Sequence, residues 1–363
     1  MVNGIVFFAD RLPPLVGGME MHAKYFIEHF KGHPVFPLLT TITKNTHQYD
    51  ILENGNIIDF EMLSKMFNPH FLFFNSGCWI EEFKSLRNLF PQAKFIYRTG
   101  GNEILKAPLV RKQISDHAMR QKYWTEILNQ NIDLMITNST YTESRLRQLG
   151  MAIPFARCVG GVNGNALKCS KKSLQETITI FCAARFVPYK NHSLLLSIIH
   201  QLFTRGHKIR LRLAGEGPLL DKARQQARDL CIDSIVEFLG VLENEKVCFE
   251  MTQADVYMQF SCAYPTIVPG GSYIHSECMG RSILEALTAG TFVIAGRSGA
   301  LEEIVPAGRG LLVELDDPVS MTNRMESIFS SIPRLSFCED YTWTKLFKHY
   351  EEIYENFAYH RKV

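Results

Sequence analysis

The 363-residue chain lacks any paired-cysteine signature. Its nine cysteines are odd in number and scattered, with no C-x-x-C pair, so neither a disulfide framework nor a zinc ribbon is indicated. Reduced thiols in a cytoplasmic protein are the plain expectation. No run reaches the roughly 18 apolar residues that a membrane span needs. The opening residues 1–14 have no basic start followed by a long apolar run, and read as a first strand and its loop rather than a signal peptide. Formal net charge is only +2, without the strong basic excess that usually marks nucleic-acid binding. H-E-x-x-H, the P-loop, a Ser-His-Asp order and G-x-G-x-x-G are all missing. No metal-ligand spacing is visible, and the expectation is no metal and no cofactor.

What the chain does have is length and a regular rhythm. At 46% hydrophobic and 21% charged it can bury large cores, and 363 residues suit two domains. Short apolar runs alternate with helical patterns. Strands are expected at 4–9, 35–41, 71–75, 94–98 and 133–137, with a weaker sixth ending at Val159; helices are expected at 19–30, 80–89 and 142–149. The polar stretch 160–173 reads as a linker. The rhythm then restarts, with strands at 177–183, 209–214, 235–239, 256–260, 292–295 and 310–313, and helices at 192–204, 219–230, 245–252, 281–289 and 318–330. In the tail 343–357, Leu346, Tyr350, Ile353, Tyr354 and Phe357 follow helical spacing. Continuous apolar strands alternating with helices predict an α/β fold of two Rossmann-like halves, each on a parallel sheet, with ligands at the carboxyl ends of the strands. The expected domains are 1–165, 174–340 and a C-terminal helix in 341–363.

Five segments carry candidate chemistry. In the first, Glu277 precedes a helix that starts near Gly280 and Glu285 lies in its second turn. A helix N-terminus suits a diphosphate, and carboxylates suit sugar or ribose hydroxyls. Spacing alone equally admits a solvated Glu285 and an ordinary loop carboxylate at Glu277. In the second, Arg185 and Lys190 stand at a strand's carboxyl end, where a fork and a point charge can neutralise a leaving diphosphate; two surface cations are the alternative. In the third, Gly17 and Gly18 follow Pro13–Pro14 in the first loop and admit close backbone approach, or simply turn. In the fourth, Gly215 and Gly217 shape the rim of a nucleotide pocket or a tight strand-to-helix turn. In the fifth, Gly100, Gly101, Asn102 and Glu103 offer hydrogen bonds to an acceptor hydroxyl, or cap a loop. Of the histidines His22, His117 and His275, only His275 gains from its place, two residues before Glu277.

Together these segments resemble the retaining, GT-B fold glycosyltransferases of family 4. The resemblance covers nearly the whole chain and is strongest over 177–357. Glu277 and Glu285 match the E-x7-E motif; Ala184–Asn191 is similar to G-R-x-x-x-x-K-[GN]. Ala214-Gly215-Glu216-Gly217-Pro218 with Val236-Glu237-Phe238-Leu239-Gly240 resembles the G-x-G-P…V-x-F-x-G run. Gly17-Gly18-Met19-Glu20 resembles the G-G-x-E loop.

The resemblance implies a GT-B architecture, with two Rossmann-like domains facing a cleft and the C-terminal helix crossing back to the first domain. It implies donor binding by Gly17, Gly18, Arg185, Lys190, Gly215, Leu239, Glu277, Met279, Gly280, Arg281, Ser282 and Glu285. Arg185 and Lys190 would hold the diphosphate, Glu285 the ribose and Glu277 the transferred hexose, with Glu277, Arg185 and Lys190 as the catalytic set. Gly100, Gly101, Asn102 and Glu103 would serve the acceptor.

The chain departs from the family in three places. The His that many members carry after the fourth strand is absent from Arg98-Thr99-Gly100-Gly101; the segment 262–276 is long, as a lid would be; and N-G-V-D reads Gly160-Gly161-Val162-Asn163.

The implied reaction moves a hexosyl group from a nucleoside diphosphate sugar, UDP-linked by preference, to a hydroxyl of a glycan or lipid-linked acceptor in surface polysaccharide or glycoconjugate synthesis. It would retain configuration and need no metal. A nucleotide-sugar epimerase and a non-catalytic nucleotide-sugar-binding subunit are the alternatives. In 105–127, Lys106, Arg111, Lys112, Arg120 and Lys122 among apolar residues allow peripheral contact with the inner face of a membrane, or form a solvated helix face.

Overall fold

A computed structural model describes residues 4–12, 17–45, 48–51, 60–109, 113–168 and 176–359. The chain divides into two compact units: unit 1 is 1–159, 266–273 and 344–363, and unit 2 is 160–265 and 274–343.

Unit 1 is built on a seven-stranded sheet. Its strands are β1 (Ile5–Ala9), β2 (Leu38–Asn45), β3 (Gln48–Ile51), β4 (Phe71–Phe74), β5 (Lys94–Arg98), β6 (Leu134–Thr137) and β7 (Phe155–Arg157), in the order β3-β2-β1-β4-β5-β6-β7. All pair in parallel except β3, an antiparallel edge that the apolar pattern did not announce. β1 and β4 are buried at every residue, as a sheet covered on both faces requires. β2 starts three residues later than its apolar run. The N–H groups of Val35 and Phe36 both donate to His33 Nδ1, and Pro37 lacks an N–H, so the run opens as a turn. The expected helix 80–89 likewise shortens to Phe83–Leu89, behind a 3₁₀ turn Gly77–Trp79. There a Cβ on Gly77 would lie 2.3 Å from the Trp124 ring.

The segment 105–127 is not one solvated helix face. A short helix Glu103–Lys106 stops at Ala107, in the left-handed region at φ 41°; a second helix, His117–Asn131, starts behind Asp116, whose carboxylate accepts from Met119 N–H. Arg120, read as part of a basic surface, is 1% exposed. It donates to the carbonyls of Ala107 (3.0 Å), Ile114 (2.8 Å), Ser115 (2.6 Å) and Pro269. Arg111 and Lys112 lie outside the described residues.

The C-terminal helix Trp343–Tyr359 gives unit 1 its last layer. Phe347, Tyr350 and Tyr354 pack on Phe26, Phe30, Phe71 and Phe73, and the Tyr350 hydroxyl meets His22 Nε2 at 3.1 Å. Glu351 receives His29 Nε2 at 2.6 Å and His33 Nε2 at 3.4 Å. These three could hold a metal ion by distance alone. The backbone N–H bonds to His33 Nδ1 decide otherwise. They place the ring proton on Nε2, which then faces Glu351 as a donor rather than a ligand.

Unit 2 carries β8 (Ile178–Ala183), β9 (Ile209–Ala214), β10 (Val236–Gly240), β11 (Val256–Gln259), β14 (Phe292–Gly296) and β15 (Gly310–Val313); between β11 and β14 the chain forms a two-stranded ribbon, β12 (Tyr264–Val268) and β13 (Gly271–His275). The six-stranded parallel sheet runs β10-β9-β8-β11-β14-β15. Chain order reverses between β8 and β11, and in unit 1 between β1 and β4. Open α/β sheets bind ligands beyond the strand ends at such switch points.

Two expected loops are structured. Residues 160–168 are tied into unit 2: Gly161 and Val162 N–H donate to the Tyr341 carbonyl, and Asn163 caps the short helix Gly164–Leu167. Residues 169–175 lie outside the described set. The long segment 262–276 contains the β12–β13 ribbon, whose residues 266–273 belong to unit 1. There Gly270 O accepts from His117 N–H at 3.1 Å.

Candidate functional site

β8 ends at Ala183, and the chain turns through Arg185 into a 3₁₀ turn Pro188–Lys190. The turn lies on the β9 loop, backbone to backbone. Gly215 has φ 133°, and a Cβ there would sit 2.1 Å from the Ala184 carbonyl; one on Gly217 would sit 2.5 Å from the Phe186 carbonyl. Of the two readings for these glycines, the tight turn is the one seen. They form the bed on which the Arg185 segment rests. Leu239 lies next to Gly240 on the neighbouring strand, and Gly240 O accepts from Gly215 N–H at 2.7 Å.

Lys190 leaves this turn to reach Glu277, with Nζ and Oε2 2.5 Å apart. The same oxygen accepts from Gln259 Nε2 at 3.1 Å and Ser261 Oγ at 3.0 Å. Gln259 ends β11, so the groups meet at the switch point between β8 and β11. Burial pushes the Glu277 carboxyl up; the charge and hydrogen bond of Lys190 and the hydroxyl of Ser261 outweigh it and hold the group below the usual carboxylate range. A carboxylate so held is a poor proton acceptor. Its backbone is fixed too: the Glu277 carbonyl accepts from Ala300 N–H at 2.8 Å, and a Cβ on Gly299 would clash with that carbonyl at 2.3 Å.

Past Met279, Gly280 takes a left-handed conformation (φ 72°) and starts the helix Arg281–Ala289, whose first turn no side chain caps. Gly290 closes it, also at φ 72°. Glu285 is buried, not solvated, at 3% exposure. Asn244 Nδ2 donates to its Oε1 at 3.2 Å, and Arg281 Nε stands 3.5 Å from the same atom. Burial nevertheless leaves this carboxyl above its ordinary range. The Ser282 hydroxyl is engaged inward, with Tyr257 OH at 2.8 Å and Gln259 Oε1 at 3.0 Å.

Arg185 is exposed, and its Nη2 donates to the Tyr189 hydroxyl at 2.6 Å. The Tyr189 ring lies against His275, centroids 3.9 Å apart. Burial holds His275 below its ordinary value. Unit 2 therefore gathers two cations, one ionised carboxylate, one desolvated carboxylate and an uncapped helix end, which together suit an anion bearing hydroxyl groups. Sequence reasoning missed Gln259, Ser261, Asn244, Tyr257, Tyr189 and Gly299. None carries a motif of its own.

In unit 1, Gly17 precedes the helix Gly18–Phe30 in extended backbone (φ −171°), so its conformation does not require glycine. A Cβ on Gly18 would meet nothing within 4 Å. The loop 100–103 is closed on itself. Glu103 Oε1 accepts from Gly100 N–H at 2.8 Å and the Tyr97 hydroxyl at 3.4 Å, and Gly101 N–H donates to Thr99 Oγ1 at 2.9 Å. Glu103 thus caps its loop. Asn102 begins the short helix. His117 is structural, with Nε2 at 3.0 Å from the Leu105 carbonyl. His22 is buried, and burial followed by the Arg98 charge keeps it neutral.

Residues 167–340 match the family model described as glycosyl transferases group 1. Unit 2 is a group 1 glycosyl transferase domain. The chain spans about half or less of the length of the curated relatives it matches. The phosphatidylinositol N-acetylglucosaminyltransferase GPI3 subunit of Saccharomyces cerevisiae is 24% identical over 52% of this chain and 41% of its own. A GDP-mannose-dependent phosphatidylinositol monomannoside mannosyltransferase of Corynebacterium glutamicum is 29% identical over 51% and 50%. Among solved structures, the Anabaena protein HepE in complex with UDP superposes with a TM-score of 0.70 at 15% identity, covering 97% of this chain and 100% of its own. The fold is that of the GT-B glycosyltransferases: two α/β units, one on a parallel sheet and one on a sheet parallel but for the edge strand β3.

Proposed function

We propose that this group 1 protein is a retaining glycosyltransferase that moves a hexosyl group from a nucleoside diphosphate sugar to a hydroxyl of a glycan or lipid-linked acceptor. The observation that carries the reading is the Arg185, Lys190 and Glu277 group at the β8–β11 switch point, with Glu285 buried one helix turn beyond Gly280. Arg185 and Lys190 neutralise the diphosphate as it leaves. Glu277 accepts hydrogen bonds from the sugar hydroxyls, and Glu285 takes the ribose diol. The N–H groups of the 279–282 turn face the phosphates. Since Glu277 is a weak base, the leaving phosphate itself takes the acceptor proton, and the protein contributes orientation and fixed charge. The two cations do a metal's work, so chelators leave the rate unchanged.

UDP is the nucleotide expected first. HepE, similar over nearly the whole chain, is described with UDP, whereas the corynebacterial relative is named for GDP-mannose. The acceptor is assigned to unit 1, and synthesis of surface polysaccharide or glycoconjugate at the cytoplasmic side of a membrane fits the phosphatidylinositol-linked names of the relatives. Among the described residues no helix is long and apolar enough to cross a membrane, so such contact would be peripheral.

Calorimetry across UDP-, GDP- and ADP-hexoses tests the donor, and product analysis with and without acceptor tests the reaction. Saturable binding of one donor and acceptor-dependent release of its nucleoside diphosphate are expected. Conversion of the donor sugar without acceptor would make the protein an isomerase instead.

A further inference from the structure

Glu277 has one mobile donor and two fixed ones. Lys190 reaches it on a flexible four-carbon stem. Gln259 and Ser261 have no such freedom. Gln259 ends β11 at 0% exposure, and Ser261, two residues on, is 1% exposed. Every hydrogen-bonding place of the Gln259 amide is taken. Its Oε1 accepts from the Tyr257 hydroxyl at 2.7 Å and the Ser282 hydroxyl at 3.0 Å. Its Nε2 donates to Ser261 Oγ at 2.8 Å and to Glu277 Oε2 at 3.1 Å. An ionised carboxylate only accepts, so the amide has a single orientation, with its amino side toward Glu277.

The proton directions agree along this chain of side chains. Ser261 gives its proton to Glu277 at 3.0 Å, so its oxygen is left to accept from Gln259. Tyr257 and Ser282 stand 2.8 Å apart; whichever gives its proton to the other, the second gives its own to Gln259 Oε1. Burial pushes the Tyr257 hydroxyl well above its ordinary range, so it stays a donor. Each link therefore donates toward Glu277, and bonds aligned in this way strengthen one another. All three donors to the carboxylate converge on Oε2; among the described residues none donates to Oε1. The group is gripped by one oxygen only.

The fixed donors matter because Lys190 has a second task in the proposed function. A leaving diphosphate carries more negative charge than Glu277 and draws the ammonium to itself. A carboxylate in this setting that loses its counter-ion takes up a proton or swings toward water, unless other donors hold it. We propose that Gln259 is a positioning residue: through its amide, and with Ser261, it holds the Glu277 carboxylate in place while Lys190 passes to the diphosphate. The sugar then meets a carboxylate set by β11 rather than by the lysine. The inference deepens the proposed function and rests on it for the diphosphate.

The test is calorimetric titration of the full chain with UDP, or with GDP where UDP does not bind. Buffers of different ionisation enthalpy count the protons taken up on binding. Wild type, Q259M and Q259M/E277Q are compared at one mildly acidic pH, so the nucleotide's own ionisation cancels. In the wild type Glu277 stays ionised as Lys190 leaves. In Q259M it takes up a proton, so uptake exceeds that of the wild type and affinity falls roughly tenfold. Both effects should vanish in Q259M/E277Q, which has no carboxylate to hold; a merely structural loss at position 259 would persist there. Q259N, too short to reach Glu277, should behave as Q259M does and replaces it if Q259M folds poorly. Equal uptake by the wild type and the Gln259 variants overturns the proposal, as does an excess that survives E277Q. If the wild type binds neither nucleotide, the proposed function fails and acid melts judge Gln259 alone. The stability difference between Q259M and Q259M/E277Q should then be lost at higher pH than that between wild type and E277Q, because a donor to the ionised form has gone. Loss at the same pH would overturn the positioning role.

Discussion

Lys190 Nζ and Glu277 Oε2 meet at 2.5 Å across 87 residues of sequence, with Gln259 and Ser261 donating to the same carboxylate oxygen. One pair thus sets both the charge of the site and its resting geometry.

Lys190→Ala is expected to cut turnover by at least about a hundredfold. It also strands a mostly buried carboxylate, at a cost of roughly 3 kcal/mol. The double variant K190M/E277Q should recover most of the stability and none of the activity, which separates the two effects. Denaturant melts and steady-state rates on the three proteins check this; near-normal activity of K190A would sink the mechanism.

The pair also fixes a pH response. Because the Glu277 carboxyl is held below its unfolded value, its stabilisation is in place above the ordinary carboxylate range and is lost as acid protonates it below that range. Wild type minus E277Q stability, followed by melts across that window, should shrink as pH falls. A difference that grows with acid would reverse the assignment.

Glu285 has the opposite sign. Its carboxyl is raised by burial, so the folded state holds the proton more tightly than the unfolded chain, and stability falls as pH rises through that interval. At neutral pH, Glu285→Gln is expected to raise the melting temperature by roughly 2–4 °C for each kcal/mol relieved. It should weaken nucleoside diphosphate binding about tenfold or more. A variant that lost stability and kept its affinity would show that Glu285 serves packing alone.

His275 acts through its ring face against Tyr189, and burial keeps it neutral. His275→Phe is therefore expected to stay within about threefold of wild-type kcat/KM, while His275→Ala loses more. Steady-state kinetics over pH decide it. Equal loss in both variants would mean that the imidazole nitrogen is needed.

The β12–β13 ribbon is pinned where a side chain has no room. Gly270 has φ 72°, and a Cβ there would come within 1.8 Å of the Ser115 carbonyl. Gly270→Ala should release the tip and speed limited proteolysis between 262 and 276, with the melting point falling by several degrees at about 2 kcal/mol or more. Unchanged proteolysis would remove the ribbon's anchoring role.

The sequence by itself determined most of the parallel strands and the long helices of unit 2, and their order, but not β3, the β12–β13 ribbon or the helices within 103–131. Apolar runs and helical periodicity are local properties, and so are the Pro, Gly and Asn signals that end them; β5, β9 and the helices His192–Thr204, Arg281–Ala289 and Pro318–Ser330 lie where their patterns put them. It also marked Arg185, Lys190, Glu277 and Glu285, because their spacing from strand ends and a helix start is readable along the chain. Only the tertiary structure decided what those groups touch. Lys190 and Gln259 meet on Glu277 because β11 lies next to β8, and Asn244 reaches Glu285 because its helix packs on Arg281–Ala289. Arg120 became a buried clamp for the same reason. Burial and hydrogen bonding are set by neighbours dozens of residues away, and no local pattern records them.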